Sequence, residues 1–210
     1  MRFTDGHWRI REGIRIHYPF RVWDYEVKEK EVIVYAPYTF VRNRGETLFG
    51  PLLEIHFSAP FPNVIEVISY HFKGVVEKGP FFELNKDKNF KPEILDKEDV
   101  IILKSGNLRV EINKKGVFKY TFFWKDKKLT SSGFKHMAYA IDENKTPYMV
   151  EQLDLSVGEL VYGLGERFSP FIKNGQQVEM WNADAGTISD QTYKNIPFYI
   201  TNRDYGVFVN

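Results

Sequence analysis

Apolar and polar residues alternate with a period of two along much of this chain. Ile14, Ile16, Tyr18 and Phe20 alternate with Arg15 and His17, and Leu53, Ile55 and Phe57 with Glu54 and His56. Leu108, Val110 and Ile112 flank Arg109 and Glu111, and Phe118, Tyr120, Phe122 and Trp124 follow the same rule. Successive side chains of a strand point to opposite faces, so each stretch predicts a strand buried on one side. Compact turn signals separate them: Ser105–Asn107, Lys114–Gly116 and Lys125–Lys128. From about Asp99 to Thr130 the pattern predicts a four-stranded meander. No window of 11 or more residues carries a helical period. Many short antiparallel strands joined by tight turns predict an all-β fold, a β-sandwich.

Two segments interrupt this rhythm. Glu77–Pro92 predicts a long loop crossing between sheets, and Ser169–Lys194, polar and glycine-containing, predicts a second loop of about 25 residues. Loops of that length inside a compact domain are uncommon and are usually functional or disordered. The charged stretch Lys86–Val100 reads as a solvated face or loop. The final strand, Tyr205–Asn210, is still apolar where the sequence stops, which is expected of a piece of a longer protein.

Composition adds exclusions more than assignments. With 29 basic and 28 acidic residues the net charge is +1, so no broad attraction to nucleic acid or an acidic membrane is expected. There is no run of 18 apolar residues and no apolar core to a signal peptide at the N-terminus, so neither a membrane-spanning helix nor secretion is expected. The absence of cysteine removes disulfides and thiolate metal sites and suits a reducing, cytoplasmic location. Aromatic residues make up 16% of the chain. Sheet surfaces and cores account for most of them, and a minority could serve as a sugar platform.

Candidate chemistry is sparse. The five histidines (His7, His17, His56, His71 and His136) are scattered without metal-ligand spacing, and no metal site is expected. No G-x-S-x-G motif is present, and Gly163-Leu164-Gly165 lacks the third glycine and the following helix of a nucleotide cradle. A glycosidase needs two carboxyl groups across the scissile bond. Glu159, Glu166, Glu179, Asp184 and Asp190 are candidates, but spacing selects no two of them. Glu166 and Arg167 read as a buried or interfacial ion pair, and the glycines before them as a place of close packing. For Asp184 both a turn and a site remain open.

The C-terminal third carries a resemblance. Val161–Phe168 (VYGLGERF), Lys173–Thr187 (KNGQQVEMWNADAGT) and Tyr193–Asn210 (YKNIPFYITNRDYGVFVN) resemble the N-terminal region of family 31 glycoside hydrolases, most of all bacterial α-xylosidases. The likeness continues upstream through Tyr148–Glu159, Lys104–Ile112, Val75–Asn85 and Asp5–Ile14, in the expected order, and so covers essentially the whole chain. It implies that residues 1–210 form a galactose-mutarotase-like antiparallel β-sandwich preceding a (β/α)8 barrel. Family members are retaining, exo-acting α-glycosidases without a cofactor, and their nucleophile and acid/base are aspartates of the barrel. No catalytic residue is therefore expected in this chain, which alone should be inactive. The resemblance assigns the 169–194 loop to the barrel mouth, with Asp184 and Trp181 as substrate-binding residues and Asn182 and Thr187 supporting the loop. Ala183 and Ala185 depart from the family, which often has a larger polar residue and a glycine there. The implied partners are an α-xylosyl oligosaccharide, the protein's own barrel and, in the full-length enzyme, further copies of itself. An α-glucosidase of the same family, or a stand-alone carbohydrate-binding or aldose-mutarotase-type sandwich, are the alternatives.

Overall fold

The computed structural model describes residues 4–5, 9–48, 50–74, 84–180 and 194–210. Within them the chain forms two compact units, Met1–Asp154 and Leu155–Asn210. All regular structure among the described residues is strand, apart from a five-residue 3-10 turn at Arg44–Leu48.

The first unit is built on two antiparallel sheets. One has four strands in sequence order: Asp24–Val27, Glu31–Pro37, Leu52–Phe61 and Val64–Tyr70. The other has five: Glu93–Asp96, Val100–Ser105, Leu108–Asn113, Tyr120–Trp124 and Lys127–Ser132. Register places like beside like, pairing Val34 with Ile55 and Val32 with Phe57 in one sheet, and Leu103 with Val110 and Ile101 with Ile112 in the other. The inward sets of both sheets form one core of Val32, Val34, Leu53, Ile55, Phe57, Ile101, Leu103, Val110, Ile112, Phe118 and Tyr120. Burying each such side chain contributes roughly 1.5–3 kcal/mol. Phe57 meets Tyr120 edge to face across the sandwich at 5.2 Å.

The outward side of the four-stranded sheet is mixed, with Ile33 and Ile68 beside His56. There His56 lies between Glu31 Oε2 at 3.0 Å and Glu54 Oε1 at 2.7 Å, which accounts for this histidine without a ligand. The hairpin tips of the two sheets are tied together. The Asn107 amide donates to Asn63 Oδ1 at 2.8 Å, and Ser105 Oγ donates to the Phe61 carbonyl at 2.7 Å. A three-stranded sheet of Arg15–His17, Ala138–Ile141 and Pro147–Val150 and a short pairing of Thr4–Asp5 with Arg9–Ile10 complete the unit.

One polar cluster adjoins the core. Tyr120 and Ser132 are fully enclosed, and the Glu151 carboxyl reaches toward both. Burial pushes that carboxyl up to about 6.

The predicted meander is present, from Val100 to Ser132. It gains a fifth, edge strand, Glu93–Asp96, inside the charged stretch read as a solvated face or loop. That reading is corrected: Ile94 packs on the core, and a four-residue edge strand needs only one or two inward side chains, so charge dominates its sequence. The strands Glu31–Pro37 and Val64–Tyr70 carried no clear alternation; the first is apolar on both faces.

The second unit has three strands: Val161–Gly163, Phe198–Thr201 and Gly206–Phe208. Pro197 precedes the middle strand, where its missing N–H costs little, and its carbonyl accepts the Val209 amide at 2.8 Å.

Candidate functional site

The residues expected to touch or support a substrate, Trp181, Asn182, Asp184 and Thr187, lie outside the described residues, as does Asp190. What the structure describes is the base from which their segment leaves, at 155–180, and to which it returns, at 194–210.

The base starts with two glycines. Gly163 (φ 109°) and Gly165 (φ 89°) hold conformations that L side chains rarely adopt. A Cβ on Gly163 would stand 2.8 Å from the Phe198 carbonyl oxygen, and one on Gly165 only 2.1 Å from that of Lys194. Their bareness lets the returning chain lie directly on the turn. Leu164 N donates to Phe198 O at 2.9 Å and Glu166 N to Lys194 O at 3.1 Å. The expectation of close packing here is met.

The expected Glu166–Arg167 ion pair is not made. Glu166 turns to solvent and pairs with Lys194 Nζ at 2.7 Å. Arg167 turns inward, and its Nε donates to the Leu164 carbonyl at 2.9 Å. Its Nη2 donates to the Glu179 carbonyl at 2.7 Å and to Asn195 Oδ1, and lies 3.3 Å from Met180 Sδ.

The outgoing stem, residues 169–180, runs without strand or helix and is held by side chains acting as backbone. Asn174 accepts the Val161 amide at 2.8 Å and donates to the Glu159 carbonyl at 2.9 Å, as a neighbouring strand would. The Lys173 amide adds a bond to Val161 O at 2.8 Å. Its buried ammonium donates to Ser169 Oγ at 2.9 Å and Pro170 O at 2.7 Å. Asn202 does the same on the other side, accepting from Leu160 N at 2.9 Å and donating to Gly158 O at 3.1 Å.

Among the five candidate carboxylates, Glu159 is a structural group. Its side chain is fully enclosed, and Oε2 accepts the Ser156 amide at 2.7 Å with Arg203 Nη1 at 4.0 Å. Burial would raise it, but the polar groups around it, the Ser156 amide bonded to Oε2 among them, outweigh burial and hold it below the ordinary range. An enclosed anion of this kind organises a turn and meets no substrate. Glu166 is exposed and paired, and Glu179 lies beside Gln177, with 3.3 Å between its Oε1 and Nε2. Among the described residues no group of three or more His, Cys, Asp or Glu could hold a metal ion.

Sequence reasoning missed the inward Arg167 and the two asparagines that stand in for backbone. An Asn-Gly pair at 174–175 was a visible turn signal, with Gly175 at φ 72°, but nothing in it named the partners of Asn174.

Two facing antiparallel sheets, followed in the chain by a small three-stranded sheet, define a galactose-mutarotase-like β-domain. The chain belongs to the glycosyl hydrolase 31 N-terminal galactose mutarotase-like domain family, whose model matches residues 54–210. Over its whole length it is 38% identical to an alpha-xylosidase of Emericella nidulans and 40% identical to alpha-xylosidase XylQ of Lactiplantibacillus pentosus. It spans only 29% and 27% of the lengths of those two relatives. In three dimensions it is similar to a GH31 dextranase of Flavobacterium johnsoniae, with a TM-score of 0.68 at 22% identity, covering 91% of this chain and 22% of that one. That likeness concerns the fold alone.

Proposed function

We propose that this chain is the N-terminal domain of a retaining, exo-acting α-xylosidase, and that its 169–194 loop brings Asp184 and Trp181 to the sugar at the mouth of a downstream (β/α)8 barrel. The observation that carries the reading is the 38% and 40% identity, across the entire chain, to two proteins named alpha-xylosidase. In this reading the nucleophile and the acid/base both belong to the barrel, roughly 5–5.5 Å apart as retention requires. Asp184 does no bond-breaking. An ionised carboxylate accepts two sugar hydroxyls at once, through charge-assisted bonds that orient the ring and narrow the pocket. Trp181 forms the pocket wall or braces the loop, and Asn182 and Thr187 hold the loop itself.

The test uses the full-length enzyme on aryl α-xylosides and aryl α-glucosides. A higher kcat/KM on the xyloside supports the reading, whereas preference for the glucoside makes the protein an α-glucosidase of the same family. D184A is expected to lower kcat/KM by about tenfold to a thousandfold, roughly 1.4–4 kcal/mol. Unchanged kinetics in a folded variant would remove Asp184 from the site. The 210-residue chain alone is expected to hydrolyse neither substrate, and turnover proportional to its concentration would overturn the split between domain and barrel. Polarimetry on the same chain with free aldoses separates the mutarotase alternative, which requires anomer interconversion.

A further inference from the structure

We propose that the apolar face of the three-stranded sheet in the second unit, built by Tyr162, Phe198, Ile200 and Phe208 with Phe171 beside them, is a docking surface for the part of the full-length protein that follows Asn210. The inference rests on the reading of this chain as the N-terminal domain of a longer enzyme, and it names a surface by which that domain is joined to the rest. Register defines the face. Phe198 pairs with Phe208, Ile200 with Gly206 and Tyr162 with Ile200, and directly opposed residues of antiparallel strands share one side of the sheet. The ring of Phe198 lies over Gly206, where a Cβ would stand 2.5 Å from its Cζ. Phe171 adds its ring to that of Tyr162, with 5.2 Å between the centroids.

Exposure and sequence disagree on this face. Along Phe198–Thr201 and Gly206–Phe208 exposure alternates, so one side of the sheet is covered and the other is open. Tyr199, Thr201 and Val207 stand on the covered side. Phe198, Ile200 and Phe208 stand on the open side and are 41%, 46% and 60% exposed. An antiparallel sheet that faces water carries polar residues on its open side, whereas strands buried on both sides read as continuous apolar runs. Phe198-Tyr199-Ile200 and Val207-Phe208 are of the second kind. No hydrophobic residue of this unit is buried among those described, so its sheet has no core of its own. Small sheets gain stability by covering an apolar face. A second copy of the chain is a poor cover, because five side chains fall well short of the roughly 20–30 residues a side of a standard interface between separate proteins. A tethered segment needs no such area, since its effective concentration is on the order of millimolar. The chain spans only 29% and 27% of its two relatives' lengths, so more than two thirds of a protein of that length is available to supply the segment.

The experiment uses the full-length enzyme with the photocrosslinker p-benzoylphenylalanine in place of Phe208 or, in a second preparation, of Phe171. On irradiation each is expected to crosslink within its own chain to residues beyond Asn210, mapped by peptide mass spectrometry. A crosslink between two chains would assign the face to a second copy, and crosslinks to residues 1–210 alone, or none, would deny the docking; each overturns the proposal. Thermal unfolding of I200D and V157D gives a second readout, because Val157 is fully exposed and lies outside the sheet. I200D places a charge beneath the covering segment and is expected to lower the midpoint by about 5 °C or more, against about 1 °C or less for V157D. If I200D does not fold, I200S makes the same comparison with an expected shift of about 3 °C. Equal shifts at the two positions would overturn the docking. The crosslinking preparations are also assayed on an aryl α-xyloside. Crosslinks beyond Asn210 in a protein without turnover would reject the α-xylosidase reading and keep the surface, whereas turnover without such crosslinks would reject the surface and keep that reading.

Discussion

Replacing Gly165 by alanine should damage the second unit more than replacing Gly175, although both residues have positive φ and lie in the same unit. Gly175 (φ 72°) has nothing within 4 Å of the position its Cβ would take, so G175A bears only the conformational cost, about 1 kcal/mol. Gly165 (φ 89°) bears that cost and a collision. Its Cβ would stand 2.1 Å from the Lys194 carbonyl oxygen, whereas ordinary contact begins at 3.4 Å, so one strand must retreat by about 1.3 Å. The obstacle is backbone, so no side-chain rotation relieves it. Retreat breaks the Glu166 N to Lys194 O bond, a loss of about 1 kcal/mol, and the Leu164 N to Phe198 O bond beside it is weakened. Together G165A should destabilise the local structure by about 3 kcal/mol, against about 1 kcal/mol for G175A. The assay is native-state amide exchange of Leu164 and Asn202, whose N–H groups donate to Phe198 O and Leu160 O across the first two strands of the unit, in the 210-residue chain. About 3 kcal/mol corresponds to protection lowered by roughly 150-fold, and about 1 kcal/mol to roughly fivefold. Equal effects of the two substitutions would refute the close approach of the returning chain, and no effect of either would refute the positive-φ cost as well.

Three further outcomes follow from the first unit. Phe57→Ala empties the centre of the sandwich opposite Tyr120 and should cost about 3–5 kcal/mol in urea unfolding, whereas Trp124→Ala, at a partly exposed strand end, should cost about 1 kcal/mol or less. Glu151, raised by burial from 4.5 to about 6, contributes stability that is fully present below about 4.5 and is lost as pH rises through about 6. A change of that size corresponds to at most about 2 kcal/mol, and the exposure of the residue as a whole reduces it to about 1 kcal/mol. E151Q should therefore show no such decline between pH 4.5 and pH 7 in urea midpoints, and a decline equal to that of wild type would assign it to another group.

Strands with one buried face were legible because their side chains must alternate. Leu53, Ile55 and Phe57 are fully buried, while Glu54 and His56 between them face outward. Elements without that contrast were not. Glu31–Pro37 is buried on both faces at its centre, so its apolar run has no period, and Glu93–Asp96 is too short and too charged to show one. At the loop base the glycines were readable as close packing, because only a missing Cβ permits it. Arg167 was not, because its three anchors are main-chain and amide oxygens that any sequence supplies. A charged neighbour, Glu166, offered a simpler partner, but it pairs with Lys194 instead. Asp184 and Trp181 came from resemblance, and no spacing of carboxylates would have selected them.

The two units are held by different physics. Every buried hydrophobic residue among those described lies in the first unit, at or before Ala140. In the second unit the buried residues are polar, Glu159, Lys173 and Thr201, while Phe171, Phe198, Ile200 and Phe208 remain exposed. A segment with that inventory draws little from the hydrophobic effect and depends on the geometry of its hydrogen bonds. Each bond is worth about 1 kcal/mol, so the network around Glu159, Asn174, Asn202 and Arg167 holds the segment only while most of its members are in place. A single carbonyl moved by one added methyl, or a single guanidinium shortened to an ammonium, is therefore a large fraction of what fixes the stems. A segment held in this way keeps its place only while those bonds keep their geometry.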